Sequence, residues 1–136
     1  MNKLYGKITA ITSSGNISLV DAEVSGYPMS AIMIGTSENT GYLKEGREII
    51  LLFKESEVSV GKDIRGMISL RNQLPVVVEE VQKGTVFSKI CMRLADTSIV
   101  SLITTRSAEK LGLKKGDEVT AFIKSNEVIL MDPAHE

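Results

Sequence analysis

Short runs rich in Val, Ile, Phe and Thr recur along the chain: YGKITAI, GNISLVDAEV, SAIMIG, REIILLF, SEVSV, QLPVVVEEV, GTVFSKICMRL, TSIVSLIT, DEVTAFIK and NEVILM. Each is bounded by Gly, Asn, Asp, Ser or a Lys-Gly pair. β-branched and aromatic residues between turn-forming punctuation are what many short strands require, so the pattern predicts a mostly β protein. Only TTRSAEKLGLKKG breaks it. There Thr104 or Thr105 can cap a helix, Ala108, Leu111 and Leu113 can face a core, and Gly112 can end the helix after one or two turns. Asp132-Pro133 stops regular structure after the last strand, leaving residues 133–136, His135 among them, as a tail without a role.

The pattern repeats. LKEGREIILLFKESEV, which starts at Leu43, falls without a gap on LKKGDEVTAFIKSNEV, which starts at Leu113, and the same displacement pairs Asn2 with Asn72, Leu4 with Leu74 and Ser37 with Ser107. The chain is a tandem duplication: copy one over residues 1–62, a linker over 63–68, copy two over 69–132. A copy of about 65 residues is too small to bury much core alone, so the two should pack on each other. The expected fold class is all-β: two tandem five-stranded Greek-key barrels of OB-fold type, each with a short helix.

Composition narrows the chemistry. Apolar residues at 43% and charged residues at 24% suit a globular chain. Sixteen basic residues against seventeen acidic ones leave a formal charge of −1, so no global field draws nucleic acid or anionic lipid, and any anion must be caught locally. The lone Cys91 cannot form an intramolecular disulfide and reads as a small buried hydrophobe, in keeping with a reducing compartment. No apolar core of signal-peptide length opens the chain and no run of about 18 apolar residues occurs, so a cytoplasmic location without membrane contact is expected. The sequence has no Cys/His cluster for zinc, no calcium loop, no phosphate-binding glycine loop and no Ser-His-Asp set, the one His being in the tail. No enzyme, no cofactor and no metal coordinated directly by side chains is expected.

What remains is a set of donors in copy two: Ser69, Arg71, Thr104, Ser107, Lys124 and Ser125. A planar guanidinium, a compact ammonium and hydroxyls together suit a tetrahedral oxyanion. Each also has a plainer reading: Lys124 as a solvated strand end, Thr104 and Ser107 as helix caps, Arg71 as a surface arginine.

SLRNQL opening copy two, then VEEVQKGTVFSKICMRL, then LITTRSAEKLGLKKGDEVTAFIKSNEVIL, resemble the molbindin domain, the small molybdate- and tungstate-binding barrel also found as the tail of molybdate-responsive regulators and molybdate-transporter ATPases. The match covers copy two and, more weakly, copy one, so the chain resembles a di-domain molbindin. The resemblance implies that Ser69 and Arg71 hold the oxyanion, that Lys124 and Ser125 contribute, and that Thr104 and Ser107 close the site from a neighbouring copy across an interface. Asn72 and Gln73 then fix the local backbone. Copy one departs from the motif: Met1 stands for Arg71, nothing matches Ser69, Ile34 replaces Thr104 and Glu55 replaces Ser125, leaving Ser37 and Lys54 as weaker contributors. A carboxylate near a dianion opposes binding, so copy one is expected to be mainly structural. The implied ligand is molybdate or tungstate, and the implied assembly a homo-oligomer, a trimer before a dimer. The functional expectation is intracellular oxyanion binding for storage or homeostasis. The alternative is a free-standing molybdate-sensing module acting on a regulator or transporter. Single-stranded nucleic-acid binding follows from the barrel type alone, against 4% aromatic residues and no Trp.

Overall fold

Burial alternates along the first strand of each copy: Asn72, Leu74, Val76 and Val78 are buried while Gln73, Pro75 and Val77 face out, as a pleated chain with one covered face requires. The computed structural model describes residues 1–136. Copy one forms β1 (Asn2–Ser14), β2 (Ile17–Val24), β3 (Tyr27–Ile34), β4 (Glu48–Phe53) and β5 (Ser59–Gly61). Copy two forms β6 (Asn72–Lys83), β7 (Phe87–Leu94), β8 (Thr97–Thr104), helix α1 (Thr105–Leu111), β9 (Glu118–Ile123) and β10 (Ile129–Met131). Every strand of copy one has its counterpart at the equivalent place in copy two, so the duplication read in the sequence is a duplication of structure.

The long first strand of each copy serves two partners. β1 pairs with β4 through Asn2–Lys7 and with β2 through Lys7–Ser14; β6 pairs likewise with β9 and then β7. In both, the register slips by one residue at the changeover, between Ile8 and Ala10 and between Val78 and Glu80. Such a bulge bends a strand and increases its twist, which lets one strand leave one neighbour and take up another.

The two sheets exchange their shortest strands. One has the order β10-β4-β1-β2-β3 and the other β5-β9-β6-β7-β8. Leu130 of copy two therefore pairs with Leu51 of copy one, and Val60 of copy one with Ala121 of copy two. The border of a sheet thus does not run along a border of the sequence. A cluster of 25 buried apolar side chains, with Leu4, Leu51 and Phe53 from one copy and Leu74, Ile90 and Ile123 from the other, makes a single core. That shared burial is what two pieces of this size need.

Polar bonds pin the seam at equivalent places. Asn72 is buried, accepts from the Ser30 N–H at 2.7 Å and donates to the Ser30 carbonyl at 2.9 Å. Asn2 makes the same two bonds, both 2.8 Å, with the main chain of Val100. Ser101 Oγ donates to the Val58 carbonyl at 2.5 Å. No buried side-chain nitrogen or oxygen lacks a partner. No helix is long and apolar enough to cross a membrane.

Only copy two carries an α-helix, a correction to the expectation of one in each. α1 starts at Thr104, whose hydroxyl accepts from the Ser107 N–H, and ends at Gly112 in the left-handed region (φ 60°), whose N–H reaches the Ala108 and Glu109 carbonyls. In copy one the capping threonine is Ile34, and Gly35 and Gly41 replace Thr105 and Leu111. Gly35 at φ 133° cannot open a helix, and Asn39 Oδ1 instead closes a turn by accepting from the Thr36 N–H at 2.8 Å.

After β5 the chain is tied down by Lys62, whose Nζ donates to the Leu111 carbonyl and to Asp117 Oδ2, each at 3.2 Å. The Asp117 carboxylate also accepts from the Lys114 N–H at 3.0 Å. That backbone bond, opposed by burial and reinforced by the Lys62 ammonium, holds its pKa below the ordinary carboxylate value. The charged form therefore contributes stability above the unfolded carboxylate pKa, and the contribution is lost as pH falls through the depressed folded value. Thermal unfolding followed by circular dichroism should show Asp117→Asn melting below the parent at pH 7, with the gap closing as the solution is acidified toward pH 3. Asn72→Ala strands a buried N–H and a buried carbonyl and should lower the unfolding free energy by about 2 to 3 kcal/mol in urea titration.

Candidate functional site

The ladder between β6 and β9 ends at the pair Asn72 and Ile123. Arg71 and Lys124 are the residues next beyond that pair, one on each strand where the two part. Lys124 keeps extended backbone angles and leads into a 3-10 turn, Ser125–Glu127, that packs on β3 of copy one. Arg71 and Lys124 are exposed, whereas Ser125 is turned inward and buried. Ser69 is exposed in the segment before β6. Gln73 Nε2 donates to the Leu70 carbonyl at 2.7 Å and so shapes that segment, while Asn72 acts across the seam on Ser30.

Copy one supplies the opposite wall. Ser30 and Asp21 are cross-strand neighbours on β3 and β2. Ser125 Oγ and Ser30 Oγ lie 2.6 Å apart in a buried hydrogen bond, and Arg71 Nη2 stands 3.8 Å from Asp21 Oδ1. Asp21 and Ser30 were not among the residues singled out in the sequence. A signal for them exists: the displacement that relates the copies sets them against Cys91 and Val100, just as it sets Arg71 against Met1 and Ser125 against Glu55. These four differences between the copies gather at one place.

Thr104 and Ser107 lie elsewhere. Thr104 pairs with Phe87, near the Lys83 end of the long strand β6, whereas Arg71 precedes its Asn72 end. Their side chains bond to each other, Thr104 Oγ1 donating to Ser107 Oγ at 2.9 Å while it accepts from the Ser107 N–H at 3.1 Å. Arg71 and Ser125 thus meet the adjacent Asp21 and Ser30 of copy one, with Lys124 just before Ser125 in the chain, whereas Thr104 and Ser107 lie apart. Ser37 is also separate, in a shallow groove with Ser13 and Lys44 beyond the end of β3.

The equivalent end of copy one has different chemistry. Lys54 is exposed, and its neighbour Glu55 lies 3.6 Å from the Met1 nitrogen. Cys91 faces this end, its thiol pKa pushed up chiefly by burial, with Lys89 opposing and Glu80, Glu79 and Glu55 adding to the rise. A neutral thiol and a carboxylate thus occupy the positions that hold Asp21 and Ser125 on the other side. Nowhere do three or more His, Cys, Asp or Glu side chains gather as a metal cage would require. At the Asn72 end of β6 the available chemistry is two cationic side chains and hydroxyl donors, with the Asp21 carboxylate beside Arg71; the cations and hydroxyls suit an anion held by charge-assisted hydrogen bonds.

Comparison with known proteins agrees with this fold. Residues 68–130 match the TOBE domain. Molybdenum-pterin-binding protein 1 of Clostridium pasteurianum is 40% identical over 65 residues, which is 96% of that protein and 47% of this chain. MopA of Rhodobacter capsulatus, also named a molybdenum-pterin-binding protein, is 34% identical over 140 residues, covering 97% of this chain and 51% of MopA. The crystal structure of the cytoplasmic molybdate-binding protein ModG with molybdate bound superposes with a TM-score of 0.89 at 28% identity, over 97% of this chain and 96% of ModG. The clostridial relative is matched over almost its whole length and the ModG structure over both copies, so the chain belongs to the TOBE-domain family of molybdenum-pterin-binding proteins, in a two-copy form.

Proposed function

We propose that this chain binds molybdate, or tungstate of the same shape and charge, as a cytoplasmic store or buffer, with no catalytic step. What supports the reading is that Arg71 and Lys124 lie next beyond the last pair of the β6–β9 ladder, with Ser125 next in the chain after Lys124. Two cations nearly neutralise a tetrahedral dianion, and Ser69, Ser125 and nearby main-chain N–H groups offer directional donors to its remaining oxygens. ModG, whose fold this chain shares, is a molybdate-binding protein of the cytoplasm. In this reading each sheet curls about its long shared strand into a barrel of the OB type, and the seam between barrels carries the site.

Thr104 and Ser107 enter the site from a second chain. They are fixed on the helix cap, remote from Arg71 along β6, and bordered by exposed Val86 and Phe87, with Leu102 two residues back on the same edge strand. Ile17, Ile32 and Ile34 are exposed at the equivalent places of copy one. Apolar side chains grouped around polar donors on edge strands suit burial against another copy, and a trimer joins each Arg71 end to a neighbour's Thr104 end. Lys54 and Ser37 have no such set around them, and copy one serves mainly as the wall.

Isothermal titration of the full chain with sodium molybdate should give saturable heat, and Arg71→Ala should weaken the affinity by about 1.5 to 3 kcal/mol, the scale of a hydrogen bond to a charged group. An unchanged affinity would move the site elsewhere. Phe87→Glu places a charge on the proposed contact and should reduce the mass seen by light scattering to that of one chain, with molybdate binding weakened in parallel.

A further inference from the structure

Copy one offers Arg71 an anion of its own. Asp21 Oδ1 stands 3.8 Å from Arg71 Nη2, across the seam, and Asp21 is the half-buried member of the pair while Arg71 is largely exposed. Lys124 has no carboxylate within salt-bridge distance, so Asp21 singles out one of the two cations. The neighbouring donor is engaged in the same way: Ser125 Oγ is bonded to Ser30 Oγ, and Ser30 is the cross-strand partner of Asp21. Two adjacent residues of the β2–β3 hairpin therefore occupy both an arginine and a serine that the proposed site would turn toward an oxyanion. The equivalent hairpin of copy two has Cys91 and Val100 in these places, neither of which carries a charge there.

Resting on the molybdate reading above, we propose that Asp21 is a built-in competitor for Arg71, and that it sets the affinity of the site by holding the guanidinium until a dianionic oxyanion displaces it. Two effects act in the same direction. The bound oxyanion must replace an existing ion pair, and once bound it lies near a carboxylate of like sign. The ion pair is partly exposed and long, so its own contribution is small; the repulsion between charges a few ångströms apart at a protein surface adds to it. Ser30 adds little to this competition, because a hydroxyl both donates and accepts and Ser125 can donate to an oxyanion while accepting from Ser30.

The test is titration of the full chain with sodium molybdate in four forms: the parent, Asp21→Asn, Arg71→Ala and the double variant. Asn keeps the shape of Asp21 and removes its charge. Asp21→Asn should bind about three- to tenfold more tightly than the parent, and less of that gain should remain at high salt. In the Arg71→Ala background the same substitution should have little effect, because the competition runs through the guanidinium. An Asp21→Asn affinity equal to or weaker than the parent overturns the inference while leaving the molybdate reading intact. A gain fully retained without Arg71 also overturns it, since that would be a diffuse charge effect. No heat with either the parent or Asp21→Asn would sink the molybdate reading, and this one with it. Should Arg71→Ala bind too weakly to measure, the Arg71 Nε–H resonance decides: Asp21→Asn should shift it before any molybdate is added, and an unmoved resonance would count against the pairing.

Discussion

Two strands of three residues each hold this molecule together as a unit. Ser59–Gly61 and Ile129–Met131 are too short to persist alone, and each finds its ladder in the sheet built by the other copy. The exchange obliges the halves to lie against each other with the first residues of one copy facing the third strand of the other. Asn2 and Asn72 convert that proximity into a fixed distance, because an amide side chain that both donates to and accepts from one residue's main chain can do so in only one register. The candidate site lies where it does because Arg71 is the residue before one of these asparagines.

The same construction, used a second time in the chain, produces a different surface. Both ends have a long strand opening at an asparagine, a lysine at the close of the fourth strand and a 3-10 turn after it. One end carries Arg71, Ser125, Ser30 and Asp21, the other Met1, Glu55, Val100 and Cys91. Two copies on separate chains would have to change together; joined in one chain, each wall of the seam is free to change alone. One end has Arg71 and Lys124, while the other sets the Glu55 carboxylate next to Lys54.

Much of this was legible in the sequence, for identifiable reasons. The strands could be read because β-branched runs between turn residues say what forms, and the displacement that lays Asn2 on Asn72 held for every one of them. The exchange could not be read: Leu51 and Ala121 lie in related strands, so Leu130 and Val60 carry no mark of which they will join. The helix assigned to copy one failed on Gly35 and Gly41, whose effect on a cap outweighs the likeness of the flanking residues. Arg71, Lys124 and Ser125 were visible as types suited to an anion. Asp21 was not, because a lone acidic residue within an alternating strand reads as an ordinary outward-facing position until Arg71 is found beside it. Thr104 and Ser107 fitted two readings from the start, and the helix cap they form is compatible with both.

The strand exchange also orders events in time. The strand that flanks β4 at the edge of the first sheet is Ile129–Met131, so β4 keeps an unpaired flank until copy two has been synthesised, although β4 itself is made before any of copy two. The second sheet, by contrast, has its outer strand waiting before its own first residue is synthesised. The amino-terminal half is therefore the last to be completed, and in that interval its open flank is a landing place for the same short carboxy-terminal strand of another molecule.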